Sequence, residues 1–196
     1  MQITMKAAYM IGAATVVAAI LMFYFVAITV PTGVAGEVHE HADFRVYLNS
    51  EPYNFSQEKY MSTDNRTLSN FVHLHDMDGS VIHKHATGIT LGFFFRTLGM
   101  TFNSTCFAVE NASYCSNATS ALRFFVNGKE NYEFGAYEFN DLDRILISYN
   151  AKNITTEINS VTGNACIYSG KCPERGMPGN ETSCLTGSGC VVEGAR

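Results

Sequence analysis

Apolar and polar residues alternate along several segments of the chain, which predicts β-strands. From His41 to Leu48 every second residue is apolar, so this segment predicts a half-buried strand. Its core face consists of Ala42, Phe44, Val46 and Leu48. The segments Phe71–Met77 and Ser80–Ala86 flank the pair Asp78-Gly79, which is typical of a tight β-hairpin. Two further strands are predicted over Leu122–Val126 and Arg144–Tyr149.

A single helix is predicted between the hairpin and the later strands. Apolar residues recur at helical spacing over Leu91–Met100, and either Thr87 or Thr90 can cap the start of this helix. Strand, hairpin, helix and further strands, in this order, indicate an α+β fold. We therefore predict a small β-grasp-like sheet that carries one helix on one face.

The N-terminal part of the chain is strongly apolar. No charged residue occurs from Ala7 to Val30, and a helix of this length can cross a bilayer. Lys6 precedes the segment, so the positive-inside rule places the N-terminus in the cytoplasm and the rest of the chain outside. The length favours a retained transmembrane helix over a cleaved signal peptide. A filament-forming helix is a third interpretation, although no convincing processing site precedes the segment. The sequence thus predicts a single-pass protein of the cell membrane with an extracytoplasmic C-terminal domain.

Composition divides the chain into three regions, and its charge excludes one class of partner. Residues 1–36 are predicted to be the membrane anchor or an uncleaved signal helix, residues 37–150 an extracytoplasmic His-rich α+β domain, and residues 151–196 an irregular, disulfide-rich tail. Charged residues make up only 16% of the chain, and the net charge is −5 without any run of Lys or Arg. Nucleic acid is therefore not an expected partner.

Glycosylation sequons and cysteines agree with export. Asn-x-Ser/Thr sequons mark exposed loops of exported proteins. They begin at Asn54, Asn65, Asn103, Asn111, Asn117, Asn153 and Asn180. The six cysteines are Cys106, Cys115, Cys166, Cys172, Cys184 and Cys190. Pairing between neighbours would close three small loops, but the four tail cysteines also allow crossed pairings or a zinc knuckle.

All six histidines of the chain occur in three His-x-His pairs. The pairs are His39/His41, His73/His75 and His83/His85. Residues i and i+2 of a strand point to the same face, so each pair presents two imidazoles together. Imidazole is the commonest nitrogen ligand of zinc and copper in proteins. Because the pairs use every histidine of the chain, we predict a metal site rather than a polar surface stripe.

The hairpin loop decides whether two of these pairs share a face. A two-residue loop at Asp78-Gly79 would place them on opposite faces. A three-residue loop over Met77–Gly79, with Gly79 in the left-handed region, would pair His73 with His83 and unite four imidazoles. Metal binding requires the second arrangement, so we predict that loop. The His face lies opposite the apolar face and is predicted to be uncovered.

The residues around the histidines suggest supporting roles and a metal. Metal-bound imidazoles usually donate their second N–H group to a carboxylate, and Asp43, Asp76 and Asp78 are candidates. Met77 is a candidate soft ligand. A site built from imidazoles without thiols favours Cu(II) or Zn(II), and the usual affinity order places copper first.

Several segments resemble a known protein family. The run Val81–Gly92 with its motif IHKHATGITLG, followed by Cys106 and Cys115 and by the segment Asp143–Tyr149, is similar to a family of membrane-anchored archaeal proteins. The resemblance covers residues 37–150 and implies the anchor, the fold and the His motif. Some members carry the label protein-disulfide isomerase. The present chain has no Cys-x-x-Cys motif, which that chemistry uses, so the resemblance does not imply this activity.

Three functions follow from these patterns. The first is a membrane-anchored glycoprotein that captures or transfers copper, or alternatively zinc, through its clustered His-x-His strands. The second is a structural subunit of an extracellular filament or membrane complex, a homo-oligomer whose copies are bridged by metal. The third is a metal-dependent extracytoplasmic enzyme with an open coordination position and an acid or base such as Asp43 or Asp76. No nucleophile is evident, so no catalytic residue is predicted and enzymatic activity stays undecided.

Overall fold

The computed structural model describes Met10, residues 13–18, residues 33–63 and residues 66–177. The chain divides into two compact units, Met1–Pro31 and Thr32–Arg196. The described residues of the first unit are helical and exposed. The second unit contains both sheets and all six histidines.

The predicted membrane anchor is not supported and is corrected here. Within the described parts of the chain, no helix is both long enough and apolar enough to cross a membrane. The predictions of a transmembrane helix and of a single-pass location are therefore contradicted. The other residues of the segment Ala7–Val30 lie outside the described part.

The second unit consists mainly of β-structure. Its strands are β1 (Glu40–Leu48), β2 (Glu51–Pro52), β3 (Val72–His73), β4 (Val81–Lys84), β5 (Thr101–Phe102), β6 (Cys106–Val109), β7 (Ala112–Cys115), β8 (Leu122–Val126), β9 (Lys129–Glu130) and β10 (Arg144–Tyr149). Seven strands form one sheet in the order β3-β4-β1-β10-β8-β9, with β2 paired to β1. Strands β5, β6 and β7 form a second, three-stranded sheet. In the large sheet β1 and β10 run parallel, and the other pairs are antiparallel.

Among the described residues of the second unit, three short α-helices accompany the sheets. They are α1 (Leu91–Thr97), α2 (Ile154–Ser160) and α3 (Ala165–Tyr168). Single 3₁₀ turns occur at Glu58–Tyr60, Phe134–Ala136 and Pro173–Arg175. The Thr90 side chain accepts a hydrogen bond from the Phe93 N–H group and so caps α1. Of the two predicted capping residues, Thr87 and Thr90, the second is therefore the cap.

The α+β, β-grasp-like fold class with one helix and an irregular tail is wrong. Residues 101–115 pair locally into a separate sheet, and the tail up to Met177 contains α2 and α3. The predicted alternation over β1 holds for its core face, because Ala42, Phe44, Val46 and Leu48 are all buried. The opposite face is not open, however. Val161 and the partly buried Ile154 and Ile158 pack there against Phe125 and Leu146.

Candidate metal centre

Strand register brings three histidines into one row. Strand β4 lies between β1 and β3, and His83 pairs with His41 on one side and with His73 on the other. Directly paired residues point to the same face of a sheet, so these three imidazoles lie together. The predicted pairing of His73 with His83 is therefore confirmed.

The loop that produces this register differs from the predicted one. Asp76 and Met77 have positive φ angles of 55° and 58°, and the His75 carbonyl accepts a hydrogen bond from the Asp78 N–H group at 3.0 Å. The turn is thus centred on Asp76-Met77 and not on Gly79. Glycine is needed at position 79 for another reason, because a Cβ atom there would lie 2.3 Å from the backbone nitrogen of Ser56.

A buried lysine fixes the register of β4 from the core side. Lys84 lies between two histidines in sequence, points away from them and is only 3% exposed. Its ammonium group lies 2.6 Å from the Glu40 carboxylate and donates to the Phe139 carbonyl oxygen, also at 2.6 Å. Glu40 is the residue that pairs with Lys84 across the strands. A one-residue slip would separate this ion pair and turn the histidines to the other face.

The six histidine side chains form a closed circle in which each imidazole contacts the next. The centroid distances around it are 4.7 Å for His39–His41, 4.7 Å for His41–His83, 3.8 Å for His83–His75, 5.7 Å for His75–His73, 4.9 Å for His73–His85 and 4.9 Å for His85–His39. All three predicted pairs thus meet in one place.

Three of the six imidazoles are arranged to hold a metal ion. One ring nitrogen from each of His39, His41 and His83 lies within 4.8 Å of the other two. Nitrogen ligands at about 2.0–2.1 Å from a tetrahedral ion are about 3.4 Å apart, so small side-chain rotations would complete the site. We refer to these three residues as the primary site.

The His face is covered, which corrects the prediction of an open sheet surface. His41, His73, His75, His83 and His85 are each at most 2% exposed, whereas His39 is exposed. Residues 162–172, here called the lid, carry α3 and cover this face. The Tyr168 ring lies 4.8 Å from the His83 ring and 5.7 Å from the His41 ring, measured between centroids.

A hydrogen-bonded chain from the lid orients His41. The Ser169 hydroxyl lies 2.5 Å from Asp141 Oδ1 and 2.8 Å from His41 Nδ1. Burial tends to raise the pKa of Asp141, but hydrogen bonds from Lys171, Ser169 and the His41 backbone outweigh this and hold its pKa below the usual value. The ionised carboxylate only accepts, so Ser169 donates to it and His41 Nδ1 donates to Ser169. The lone pair of neutral His41 is therefore on Nε2, the nitrogen that would bind a metal.

The same reasoning defines the state of His83. His75 Nδ1 lies 2.9 Å from the Asp76 carboxylate, and His75 Nε2 lies 3.0 Å from His83 Nδ1. The carboxylate accepts from His75 Nδ1, so His75 Nε2 accepts in turn from His83 Nδ1. This leaves the lone pair of His83 on Nε2. In this arrangement His75 uses its own lone pair to orient His83.

The predicted supporting residues have different roles. Asp76 contacts His75, as expected for a residue that orients an imidazole. Asp43 instead accepts hydrogen bonds from Thr162 Oγ1 and from the backbone N–H groups of Asn164 and Ala165, and so anchors the start of the lid. Asp78 accepts from the Tyr168 hydroxyl at 3.0 Å. The Met77 side chain is 52% exposed, and its role as a ligand stays a prediction.

Sequence reasoning missed the residues that the lid contributes. Tyr168, Ser169 and Lys171 fall in the predicted irregular tail, and Asp141 precedes the predicted strand Arg144–Tyr149. Ser169 lies 128 residues from His41 and 28 from Asp141, so no local pattern reports these contacts. The spacing of Cys166 and Cys172 was the one available signal that this segment is folded.

The structure tests two of the three expected disulfides. Cys106–Cys115 joins directly paired residues of β6 and β7, and Cys166–Cys172 closes the lid. Cys184 and Cys190 lie outside the described residues. Five sequon asparagines are exposed: Asn54, Asn103, Asn111, Asn117 and Asn153. Asn65 and Asn180 lie outside the described part, and glycosylation stays a prediction at all seven.

Comparison with known proteins adds nothing to this geometry. No protein-family model, no curated protein and no solved structure matches the chain. The resemblance to membrane-anchored archaeal proteins thus stays a prediction. The candidate site is defined by the primary site and by the residues that orient it.

Proposed function

We propose that this chain is a metal-binding protein that captures or transfers copper in preference to zinc. The observation that carries the proposal is the primary site, in which ring nitrogens of His39, His41 and His83 lie within 4.8 Å of one another. Two series of hydrogen bonds support it, namely Asp141–Ser169–His41 and Asp76–His75–His83. Imidazoles that are oriented by a carboxylate in this way are typical of metal ligands.

The choice of copper follows from the donor set. Three neutral imidazoles form a nitrogen site of intermediate softness, to which Cu(II) binds more tightly than Zn(II) in the usual affinity order. Because both ions suit imidazole, direct competition between Cu(II) and Zn(II) is the informative measurement. We expect Cu(II) to displace Zn(II) and Zn(II) in modest excess not to displace Cu(II).

The test is titration of the full, untagged chain with Cu(II) and Zn(II), under conditions that keep the disulfides oxidised. The variant His39→Gln changes an exposed ligand, so it is expected to fold and to bind the first ion more than about tenfold more weakly. The double variant His41→Gln/His83→Gln is expected to lose that ion. Lys129→Gln, an exposed change on β9 at the opposite edge of the sheet, should bind like the unaltered protein. Failure of the unaltered chain to bind either ion would disprove the proposal.

A metal-bridged assembly of several copies has less support. Five of the six imidazoles are buried within the chain, so a bridging ion would have to use the exposed His39. Measuring the mass of the protein in solution with and without Cu(II) separates the two ideas. A binding protein keeps its mass, whereas a bridged assembly grows when metal is added.

A metal-dependent enzyme also has less support. Asp43 and Asp76 were the candidate acid or base groups. In the structure Asp43 accepts three hydrogen bonds from the lid, and Asp76 accepts one from His75. Both carboxylates thus have structural or orienting partners.

A further inference from the structure

Two buried imidazoles lie outside both the primary site and the chains that orient it. His73 is 2% exposed and His85 is 1% exposed, and their ring centroids are 4.9 Å apart. His73 is the last residue of β3, and His85 immediately follows β4, the strand that pairs with β3. The two imidazoles thus lie against each other inside the protein, beside the primary site.

The surroundings of His73 prepare it as a ligand. His73 Nδ1 lies 3.0 Å from the Ser69 carbonyl oxygen. A carbonyl oxygen only accepts, so His73 Nδ1 carries the proton and Nε2 carries the lone pair. A metal-bound imidazole normally donates its second N–H group to a carbonyl or carboxylate in this way. His75, in contrast, uses its lone pair for His83, so it does not complete this pair.

The exposed imidazole connects this pair to the primary site. The ring centroid of His39 lies 4.7 Å from that of His41 and 4.9 Å from that of His85. His39 therefore stands between His41 of the primary site and His85 of the buried pair. Its exposure gives solvent access at this point, where water can complete the coordination of an ion held by only two imidazoles.

We propose that His73 and His85 form a second metal position, so that the circle of six histidines holds two divalent ions. The proposal rests on the proposed function and extends it from one ion to two. The second ion has two imidazole ligands where the first has three, and it is repelled by the charge of the first. It therefore binds more weakly than the first ion.

The experiment is a copper titration of the full chain with disulfides intact, followed by metal analysis after gel filtration. We expect two Cu(II) ions per chain. The double variant His73→Gln/His85→Gln should retain one ion, with the affinity of the first binding step unchanged. Glutamine keeps polar groups at both buried positions, and circular dichroism shows whether the variant folds. His73→Gln alone is a milder second variant and should weaken only the second step.

Electron paramagnetic resonance of the loaded protein gives an independent reading. Two Cu(II) ions held within the same circle of six histidines interact magnetically. The spectrum recorded with two equivalents of Cu(II) should therefore be broader or less intense per ion than the spectrum recorded with one equivalent. His39→Gln is the matched control on the primary site and should weaken the first step.

The outcomes distinguish the two proposals. One ion per chain, still bound with unchanged affinity by His73→Gln/His85→Gln, would overturn the second position and leave the proposed function standing. Loss of the first ion in that folded variant would mean that all the histidines serve one site, which also overturns the inference. No bound ion in the unaltered chain would overturn both.

Discussion

At the scale of single residues, the site depends on where the protons of the imidazoles are. Two hydrogen-bonded chains each begin at a carboxylate, Asp141 or Asp76, and end at a histidine of the primary site. Each chain turns the Nε2 lone pair of that histidine towards the site. The backbone thus brings the imidazoles together, and the carboxylates select the tautomers that can bind a metal.

This reasoning predicts the effect of the variant Asp76→Asn. Asparagine adopts a positive φ angle at least as readily as aspartate, so the turn at position 76, with φ of 55°, should be retained. The negative charge behind His75 and His83 is lost, and Cu(II) affinity should fall about 10–100-fold with little change in thermal stability. Calorimetric titration and a thermal melt measure these two quantities.

The control for Asp76→Asn is Glu51→Gln, which neutralises an exposed carboxylate on β2 and should leave the affinity unchanged. If both variants bind copper like the unaltered chain, His83 does not depend on the Asp76–His75 chain. If Asp76→Asn lowers thermal stability as much as affinity, Asp76 serves the turn and not the metal.

At the scale of the elements, the lid decides how the site exchanges its ion. The lid begins where Asp43 accepts hydrogen bonds from Thr162, Asn164 and Ala165, and it ends near the disulfide Cys166–Cys172. Within the loop that this disulfide closes, Tyr168 and Ser169 contact the histidines. His39 is exposed, and Tyr168 of the lid contacts His41 and His83, so a path past His39 and opening of the lid are two routes for the ion.

Removing the lid disulfide tests which path the metal uses. A disulfide of this kind stabilises the closed segment by about 2 kcal/mol, so Cys166→Ser/Cys172→Ser should raise the open population about 30-fold. If metal leaves through the lid, transfer of copper to a chelator should accelerate by a similar factor. Stopped-flow absorbance measures this rate.

The second disulfide provides a matched control for that rate. Cys106→Ser/Cys115→Ser removes the bridge between β6 and β7 of the three-stranded sheet. It should leave the release of copper unchanged although it lowers overall stability. Equal rates in all three proteins would show that the ion passes His39 with the lid closed.

The elements also show what the sequence could and could not predict. Alternation over β1 predicted its buried face, and the positions of the histidines predicted the pairing of His73 with His83. The opposite face was expected to be open because it is polar. A polar face can equally be buried when a distant segment supplies hydrogen bonds, as Ser169 does for His41. Periodicity reports which way a side chain points but not what covers it.

At the scale of the whole molecule, two partly buried tyrosines, Tyr53 and Tyr137, couple folding to alkaline pH. Burial and then a hydrogen bond to Asp143 raise the pKa of Tyr137 to about 12. Burial and then a hydrogen bond to Tyr60 also raise the pKa of Tyr53. The Tyr137 hydroxyl donates to Asp143 Oδ2 at 2.8 Å, and Asn127 and Asn140 donate to the same carboxylate. These contacts hold the turn from which β10 begins.

The direction of the pH effect follows from the raised pKa values. In the unfolded chain a tyrosine loses its proton near pH 10, whereas in the folded protein Tyr137 keeps it until about pH 12. The contribution of the protonated group is therefore complete below pH 10 and is lost as the pH rises towards 12. We expect the free energy of unfolding, measured by urea denaturation, to fall across this interval.

The variant Tyr137→Phe assigns part of this slope to one residue. It removes the hydrogen bond to Asp143, so the free energy of unfolding at neutral pH should fall by about 1 kcal/mol. The decrease between about pH 10 and about pH 12 should become shallower, because Tyr137 no longer contributes a raised pKa to it. Tyr132→Phe, which alters a side chain that is 78% exposed, should leave the slope unchanged. An equal slope in Tyr137→Phe and the unaltered protein would mean that Tyr137 keeps its ordinary pKa in the folded state.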